Sequence, residues 1–279
     1  MNFALLGGDD RMARLARLLR EAGHMVRPFA LEAALPDCAA TAAEALAGAG
    51  ALVLPIPAER GGALVAPFSK GSHHAASLLE QALPGTVVFA GALRPELRCL
   101  CAVRDLPCYD LLDRENFVRR NAALTAEAAL ALLAEGPEAV YGKRVLVAGC
   151  GRVGRALISR LLALEARVTA AARRPEDRAW AALQGCRAVS LAEAPAPDYD
   201  AAVNTIPYPV FGREALERFG GVPLLELASA PYGFDAAAAR ALGKPLRLFP
   251  GLPGRYAPEA AAAAIRDEIL SILEERDHA

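Results

Sequence analysis

The sequence predicts an α/β protein made of two doubly wound parallel-sheet domains. Three observations carry that expectation. Short β-rich runs alternate with amphipathic helical runs along the chain, the pattern of parallel sheets covered by helices. The length of 279 residues suits about two domains. A helical stretch around residues 113–135, with little Gly or Pro until Gly136-Pro137, separates two alternating halves.

The elements follow in order. Phe3–Leu6 reads as a strand that runs into the turn Gly7-Gly8-Asp9-Asp10. Arg11–Glu21 is a helix with Leu15, Leu18 and Leu19 on one face, and Gly23 ends it. Ala51–Leu54 is a buried strand stopped by Pro55 and Pro57, and Thr86–Ala90 is another, stopped by Gly91. In the second half, Lys143–Ala148 is a strand, Arg152–Leu164 a helix and Arg167–Ala172 a strand. Ala201–Asn204, Leu224–Leu227 and Leu246–Phe249 read as later strands. Ala236–Ala239 and Ala260–Ala264 read as helical, because Ala is the best helix former. Pro258 and Glu259 open a last helix whose stripe is Ile265, Ile269, Ile272 and Leu273. The expected division is a first domain over 1–115, a connector helix over 116–136 and a second domain over 137–256. The closing helix, 257–279, is expected to pack back on the first domain.

Composition narrows the function classes. The net charge is -1 and no basic patch stands out, so nucleic acid is not an expected partner. No apolar run approaches the roughly 18 residues of a membrane span. No signal peptide is read at the N-terminus, so the expected location is the cytoplasm. The six cysteines are expected to be reduced there. Cys99, Cys101 and Cys108 cluster, but without a second such pair or a nearby histidine they read as ordinary small residues, and no metal is expected.

Gly149-Cys150-Gly151-Arg152-Val153-Gly154 is a full G-x-G-x-x-G between a strand and a helix. The first glycine makes the tight turn, the second lets backbone approach a pyrophosphate, and the third lets helix and sheet pack closely. The helix N-terminus meets the anion with free N–H groups. The second domain is therefore expected to be a Rossmann dinucleotide-binding domain. Sites for NAD usually place an acid at the end of the second strand, where it bonds the ribose 2′-hydroxyl. Here Val168–Ala172 leads into Arg173-Arg174-Pro175. Two guanidiniums suit a 2′-phosphate, so the expected cofactor is NADP, with Arg173 and Arg174 as its readers. Two solvated arginines in an exposed turn are the plainer alternative.

Three strand ends follow: Asn204-Thr205-Ile206-Pro207, Ala228-Ser229-Ala230-Pro231, and Pro250-Gly251-Leu252-Pro253-Gly254. Ligands of open α/β sheets sit outside the carboxyl ends of strands. Asn204, Thr205, Ile206, Pro207, Ala228, Ser229, Gly251, Leu252 and Pro253 are accordingly cofactor-binding candidates, although the same residue types are ordinary turn formers.

With these segments in view, the chain resembles the dipicolinate synthase A subunits nearly end to end. The likeness rests on Gly7-Gly8-Asp9, Asn204-Thr205-Ile206-Pro207, Leu227-Ala228-Ser229, and Pro250-Gly251-Leu252-Pro253-Gly254 followed by Ala257-Pro258. Tyr208-Pro209, Tyr232 and Arg255-Tyr256 depart from the family pattern. Leu124-Thr125-Ala126-Glu127 also looks like the connector of the D-isomer-specific 2-hydroxyacid dehydrogenases. The resemblance implies NADP-dependent oxidation of a dihydrodipicolinate-type ring, from the lysine pathway, to dipicolinate in sporulating bacteria. It also implies the flavoprotein-like dipicolinate synthase B subunit as partner; the oligomeric state, a homo-oligomer included, is left open.

Such a reaction needs a hydride acceptor, a base and groups for a dicarboxylate. Gly8, Asp9, Arg60, Lys70, Arg94 and Thr125 are the substrate-binding candidates, Thr125 as a helix cap whose N–H groups face a carboxylate. Glu127, placed in that first turn, is a base or orienter, or simply a favourably placed carboxylate. Asn121, His73 and His74 are the other catalytic candidates. Two alternatives stand. One is another NADP-dependent dehydrogenase, of a 2-oxo acid or a shikimate-like substrate. The 2-hydroxyacid enzymes use a late histidine, and the only histidine after His74 is His278. The other alternative is a non-catalytic NADP-binding scaffold or sensor.

Overall fold

A computed structural model describes residues 1–135 and 139–278. Gly136-Pro137, read as the end of the central helical run, lies outside the described residues. The first half runs β1 (Asn2–Leu6), α1 (Asp10–Glu21), β2 (Met25–Phe29), α2 (Ala42–Leu46) and β3 (Ala51–Val53). It continues with β4 (Glu59–Arg60), β5 (Ala63–Leu64), α3 (Ala75–Leu79), β6 (Val87–Ala90), α4 (Pro95–Val103) and β7 (Cys108–Asp110). Helix α5 (Glu115–Leu133) follows. The second half runs β8 (Arg144–Ala148), α6 (Arg152–Ala163), β9 (Arg167–Ala171), α7 (Pro175–Leu183), β10 (Arg187–Val189) and β11 (Ala201–Asn204). Then come α8 (Arg213–Arg218), β12 (Leu224–Glu226), α9 (Ala236–Ala241), β13 (Leu246–Leu248), α10 (Leu252–Tyr256) and α11 (Pro258–Asp277). The class is α/β, as the alternation predicts.

The chain forms two compact units, Met1–Arg120 with the segment from Ala257 onward, and Asn121–Tyr256. The first is built on a five-stranded parallel sheet ordered β2-β1-β3-β6-β7. Its strands are apolar on both faces. Ala4, Leu6, Leu52 and Val88 serve one core with Leu97 and Cys101. Phe3, Leu5, Val53 and Phe89 serve the other, with Leu15 and Leu19 of α1 and Ile265, Ile269 and Ile272 of α11. α11 therefore closes the core that β1 opens, and Arg114 ties it down through the buried Glu268 at 2.7 Å. β2 carries Pro28, which breaks the strand pattern in the sequence; it forms as an edge strand, where a missing N–H is tolerated. The β4–β5 hairpin is too short for any period-2 signal, and it turns on Gly61 and Gly62, both at positive φ.

The second unit has a six-stranded parallel sheet ordered β10-β9-β8-β11-β12-β13. That is the 3-2-1-4-5-6 order of the Rossmann fold, whose order reverses beside its first strand, β8. Val145 and Val147 of β8 face a core shared with Leu157, Ile158 and Leu161 of α6. Leu146 and Ala148 face the opposite core, with Phe211, Phe219 and Phe234.

Helix α5 corrects one expectation. It runs unbroken from Glu115, so Thr125 lies mid-helix and caps nothing. The Thr125 hydroxyl donates to the Asn121 carbonyl at 2.8 Å, the back-bond that hydroxyl residues make inside helices. Glu127 is accordingly not in a first turn.

Candidate functional site

The phosphate turn lies between β8 and α6. Gly149 has φ +101°, which a residue with a Cβ rarely adopts, and its Cβ would lie 2.4 Å from Thr205 Oγ1. A Cβ at Gly154 would lie 1.9 Å from the Gly149 carbonyl oxygen, so helix and turn touch backbone to backbone. Gly151 differs: it is the N-cap of α6, and a Cβ there would meet nothing within 4 Å. Two glycines are thus required by the protein itself, and the third leaves open space where a pyrophosphate could approach. The donor set fits a dinucleotide on that ground. Arg152 and Val153 form the first turn of α6, with Val153 packed partly against the core.

A cavity of about 590 Å³ opens from this turn. Its floor is Gly149, Cys150 and Gly151; one side is Ala172, Arg173, Arg174 and Asp177; the other is Thr205, Ile206, Pro207 and Tyr208. Arg173 is exposed, and among the described residues its guanidinium makes no ion pair. Its position is set through its carbonyl, which accepts from Arg178 Nη1 at 2.7 Å. Arg174 instead pairs with Asp177 at 3.0 Å. Asp177 also binds Arg155 at 3.0 Å. Burial alone would raise its carboxyl, but the Arg174 and Arg155 guanidiniums outweigh that and hold it below the ordinary range. Arg155 in turn donates to the Cys150 carbonyl at 2.9 Å and lies over Trp180, 4.5 Å from the ring centroid. Burial pushes the Cys150 thiol up to about 11, so it is no nucleophile at neutral pH. Asp177 and Arg155 were not anticipated. The signal for Asp177 was the (i, i+3) spacing from Arg174 on a helix; Arg155 had none.

Thr205 lies in the cavity wall, its hydroxyl bonded to the Ala148 carbonyl at 2.9 Å. Asn204 does not reach the cavity, and this corrects its assignment as a cofactor contact. It is fully buried, donates to Glu226 at 2.6 Å and to the Ile206 carbonyl at 2.9 Å, and accepts from the Ile206 N–H. Its role is to hold the wall. Glu226, also fully buried, accepts three further bonds, from the N–H groups of Ala228, Gly233 and Phe234 at 2.9–3.0 Å. Burial pushes this carboxyl above the ordinary range against the pull of the four donors. A Cβ at Gly233 would fall 2.2 Å from Asn204 Nδ2, so the cluster is packed shut. The Ala228 N–H is thereby spent, and Ser229 lies exposed beside it. Leu252 and Pro253 are likewise corrected: both are buried, Leu252 in the core with Val145 and Leu157, and neither lines the cavity. Gly251, at φ +71°, is the turn before them.

In the first unit, Gly8 and Asp9 do not present free groups. The Gly8 N–H donates to the Val65 carbonyl at 2.7 Å. The Asp9 carboxylate caps α1 and receives the Arg11 guanidinium at 2.9 Å. Arg94 is also engaged, by Glu59 at 2.8 Å. Arg60 and Lys70 are exposed. His73 is half-buried, its Nε2 3.0 Å from Ser69 Oγ and its ring edge-on to Phe29. His74 is exposed, its Nδ1 3.0 Å from the Gly62 carbonyl oxygen. Glu127, in the second unit, pairs with Arg160 at 3.0 Å, and Asn121 is half-buried on α5.

Fold and turn together define a two-unit α/β protein whose second unit is a Rossmann unit with a dinucleotide-type phosphate turn. Residues 116–211 match the family described as D-isomer specific 2-hydroxyacid dehydrogenase, NAD binding domain. Residues 2–112 match the N-terminal domain of the dipicolinate synthase A subunit. The chain is 28% identical over 193 residues to the dipicolinate synthase A subunit of Bacillus subtilis (strain 168), covering 68% of this chain and 65% of that relative. It thus matches slightly under two thirds of that relative's length. The dipicolinate synthase A subunit from Bacillus halodurans shares the fold, with a TM-score of 0.83, 24% identity, and coverage of 98% of this chain and 97% of that one. D-lactate dehydrogenase from Escherichia coli shares it at a TM-score of 0.65 and 17% identity, with 99% and 97% covered. The resemblance read from the glycine and strand-end motifs holds: the chain is similar to the dipicolinate synthase A subunits, and its residues 116–211 are similar to the NAD binding domain of the 2-hydroxyacid dehydrogenases. Among the described residues no helix is long and apolar enough to cross a membrane.

Proposed function

We propose that this protein is an NADP-dependent oxidoreductase that converts a dihydrodipicolinate-type ring to dipicolinate. We place it in the cytoplasm of a sporulating cell, on a branch of the lysine pathway, with a flavoprotein-like B subunit of dipicolinate synthase as partner. One observation carries the reading. An N-terminal stretch similar to the dipicolinate synthase A-subunit domain is joined to a dinucleotide cradle whose second strand runs into Arg173, which makes no ion pair among the described residues, instead of into an acid. The bound nicotinamide would accept the hydride, while one proton leaves the ring. Arg173 would read the 2′-phosphate, and the N–H groups at Gly151, Arg152 and Val153 would meet the pyrophosphate.

His73 is the base we favour. Its imidazole is oriented by Ser69 and Phe29 and makes no ion pair among the described residues, whereas Glu127 is engaged by Arg160. Arg60 and Lys70 are the cations we assign to the substrate carboxylates, because Arg94 is held by Glu59.

The test is to incubate the pure protein with NADP⁺ and freshly generated dihydrodipicolinate synthase product, with and without a candidate for the flavoprotein-like partner. Nicotinamide reduction and dipicolinate formation are followed together. Dipicolinate formed in step with NADPH supports the reading, and His73→Gln should then lower kcat while leaving NADP⁺ affinity in place. NADP⁺ binding without turnover under either condition overturns it in favour of a scaffold. Turnover of a 2-oxo acid or shikimate-like ring alone overturns it in favour of another dehydrogenase.

A further inference from the structure

Arg173 and Arg174 are adjacent in sequence and line one cavity, yet their surroundings differ. Arg173 makes no ion pair among the described residues, and Arg178 fixes its backbone by donating to the carbonyls of both Ala172 and Arg173. Arg174 is tied to Asp177 at 3.0 Å and lies 3.6 Å from the exposed Glu176. Asp177 lines the same cavity with its side chain only 11% exposed. Both its oxygens are taken: Oδ1 accepts from Arg155 Nη2, and Oδ2 from Arg174 Nε. Arg155 is held by the Cys150 carbonyl and by Trp180 as well as by Asp177, so its half of the clamp has anchors of its own. Arg174, with its side chain 63% exposed, is the removable half.

An acid in this neighbourhood is what a ribose 2′-hydroxyl binds in NAD sites. In this chain the strand end carries no acid, and Asp177 stands instead in the first turn of α7, covered by Arg155 and Arg174. We infer that the two arginines have separate tasks. Arg173 is the ligand of the 2′-phosphate. Arg174 is a specificity-determining residue that occupies Asp177 and so denies the cavity an acceptor for a free 2′-hydroxyl. The inference rests on the NADP reading above and deepens it.

The physical consequence is a difference of sign. A plain phosphate ligand, when removed, weakens NADP⁺ binding and leaves NAD⁺ alone. Removing Arg174 instead exposes Asp177 Oδ2, which repels a phosphate and accepts a hydroxyl. NADP⁺ should weaken and NAD⁺ should tighten together.

Equilibrium binding of NADP⁺ and NAD⁺ to the full chain, with 2′-phospho-AMP and AMP as shorter probes, reads this directly. Wild type should prefer NADP⁺. Arg173→Ala should lose about tenfold in NADP⁺ affinity, one charge-assisted contact, with NAD⁺ unchanged. Arg174→Ala should lose NADP⁺ affinity and gain about three- to tenfold for NAD⁺ and AMP. Arg174→Ala with Asp177→Asn should lose that gain, since an amide no longer supplies a carboxylate. Arg174 is exposed, so its variant should fold; unchanged Tm and an Arg174→Lys variant with restored preference confirm that the effect is local. Arg174→Ala with NAD⁺ affinity unchanged or lowered overturns the inference while the NADP reading stands. A wild type without NADP⁺ preference overturns the NADP reading itself, and this inference with it.

Discussion

A carboxylate with no exposed surface needs donors, and Glu226 has four of them, one supplied by Asn204. Asn204→Ala leaves a buried acceptor short of its partner and releases the Ile206 backbone it holds. The expected cost is about 1–3 kcal/mol in denaturant unfolding, the usual penalty for an unsatisfied buried group. Dinucleotide affinity should fall as well, because Ile206 lines the cavity. Asp200 makes a second prediction. Its bonds to the Arg144 side chain and to the Arg144 N–H, at 2.9 and 2.8 Å, outweigh burial and hold its carboxyl below the ordinary range. A folded pKa lowered in this way adds stability that is fully present above the unfolded value of about 3.9 and is lost as pH falls through the folded value. Asp200→Asn should therefore be less stable than wild type at neutral pH. The gap should close below about pH 4 in an unfolding series against pH.

At the scale of elements, the turn from β8 to α6 works only if its glycines stay bare. Gly154→Ala would drive a methyl group into the Gly149 carbonyl, backbone that cannot swing aside. We expect a loss of at least about 1–3 kcal/mol in stability together with loss of NADP⁺ binding, read by Tm and titration. Helix α11 makes a different kind of prediction. Ile269 is fully buried in the core it shares with Phe3 and Leu15. Ile269→Ala should cost about 2–5 kcal/mol by chemical denaturation and leave dinucleotide affinity unchanged, since that site lies in the other unit.

At the scale of the whole molecule, the sequence was legible where period and turn chemistry are local. The strand, glycine turn and helix at 144–163 declared themselves through Gly149, Gly151 and Gly154, and the Ile stripe of α11 through its spacing. What stayed hidden was each side chain's choice of partner. Asp9 is taken by Arg11, and Asn204 is taken by a glutamate 22 positions later. Thr125 looked like a cap because caps and back-bonding threonines are the same residue, and only the unbroken helix before it tells them apart. Ending the chain after Tyr256 should separate the two units experimentally. The second should keep NADP⁺ binding, while the first should bind an apolar dye and lose cooperative unfolding.

The first unit is made of two pieces of chain with the second unit inserted between them. During synthesis its opening 120 residues must wait, with Phe3, Leu5 and Phe89 lacking the helix that covers them, until all of Asn121–Tyr256 has left the ribosome. The inserted unit is contiguous and can fold first. Helix α11 then completes the core of the first unit, and until it does so the apolar face it covers is open to aggregation.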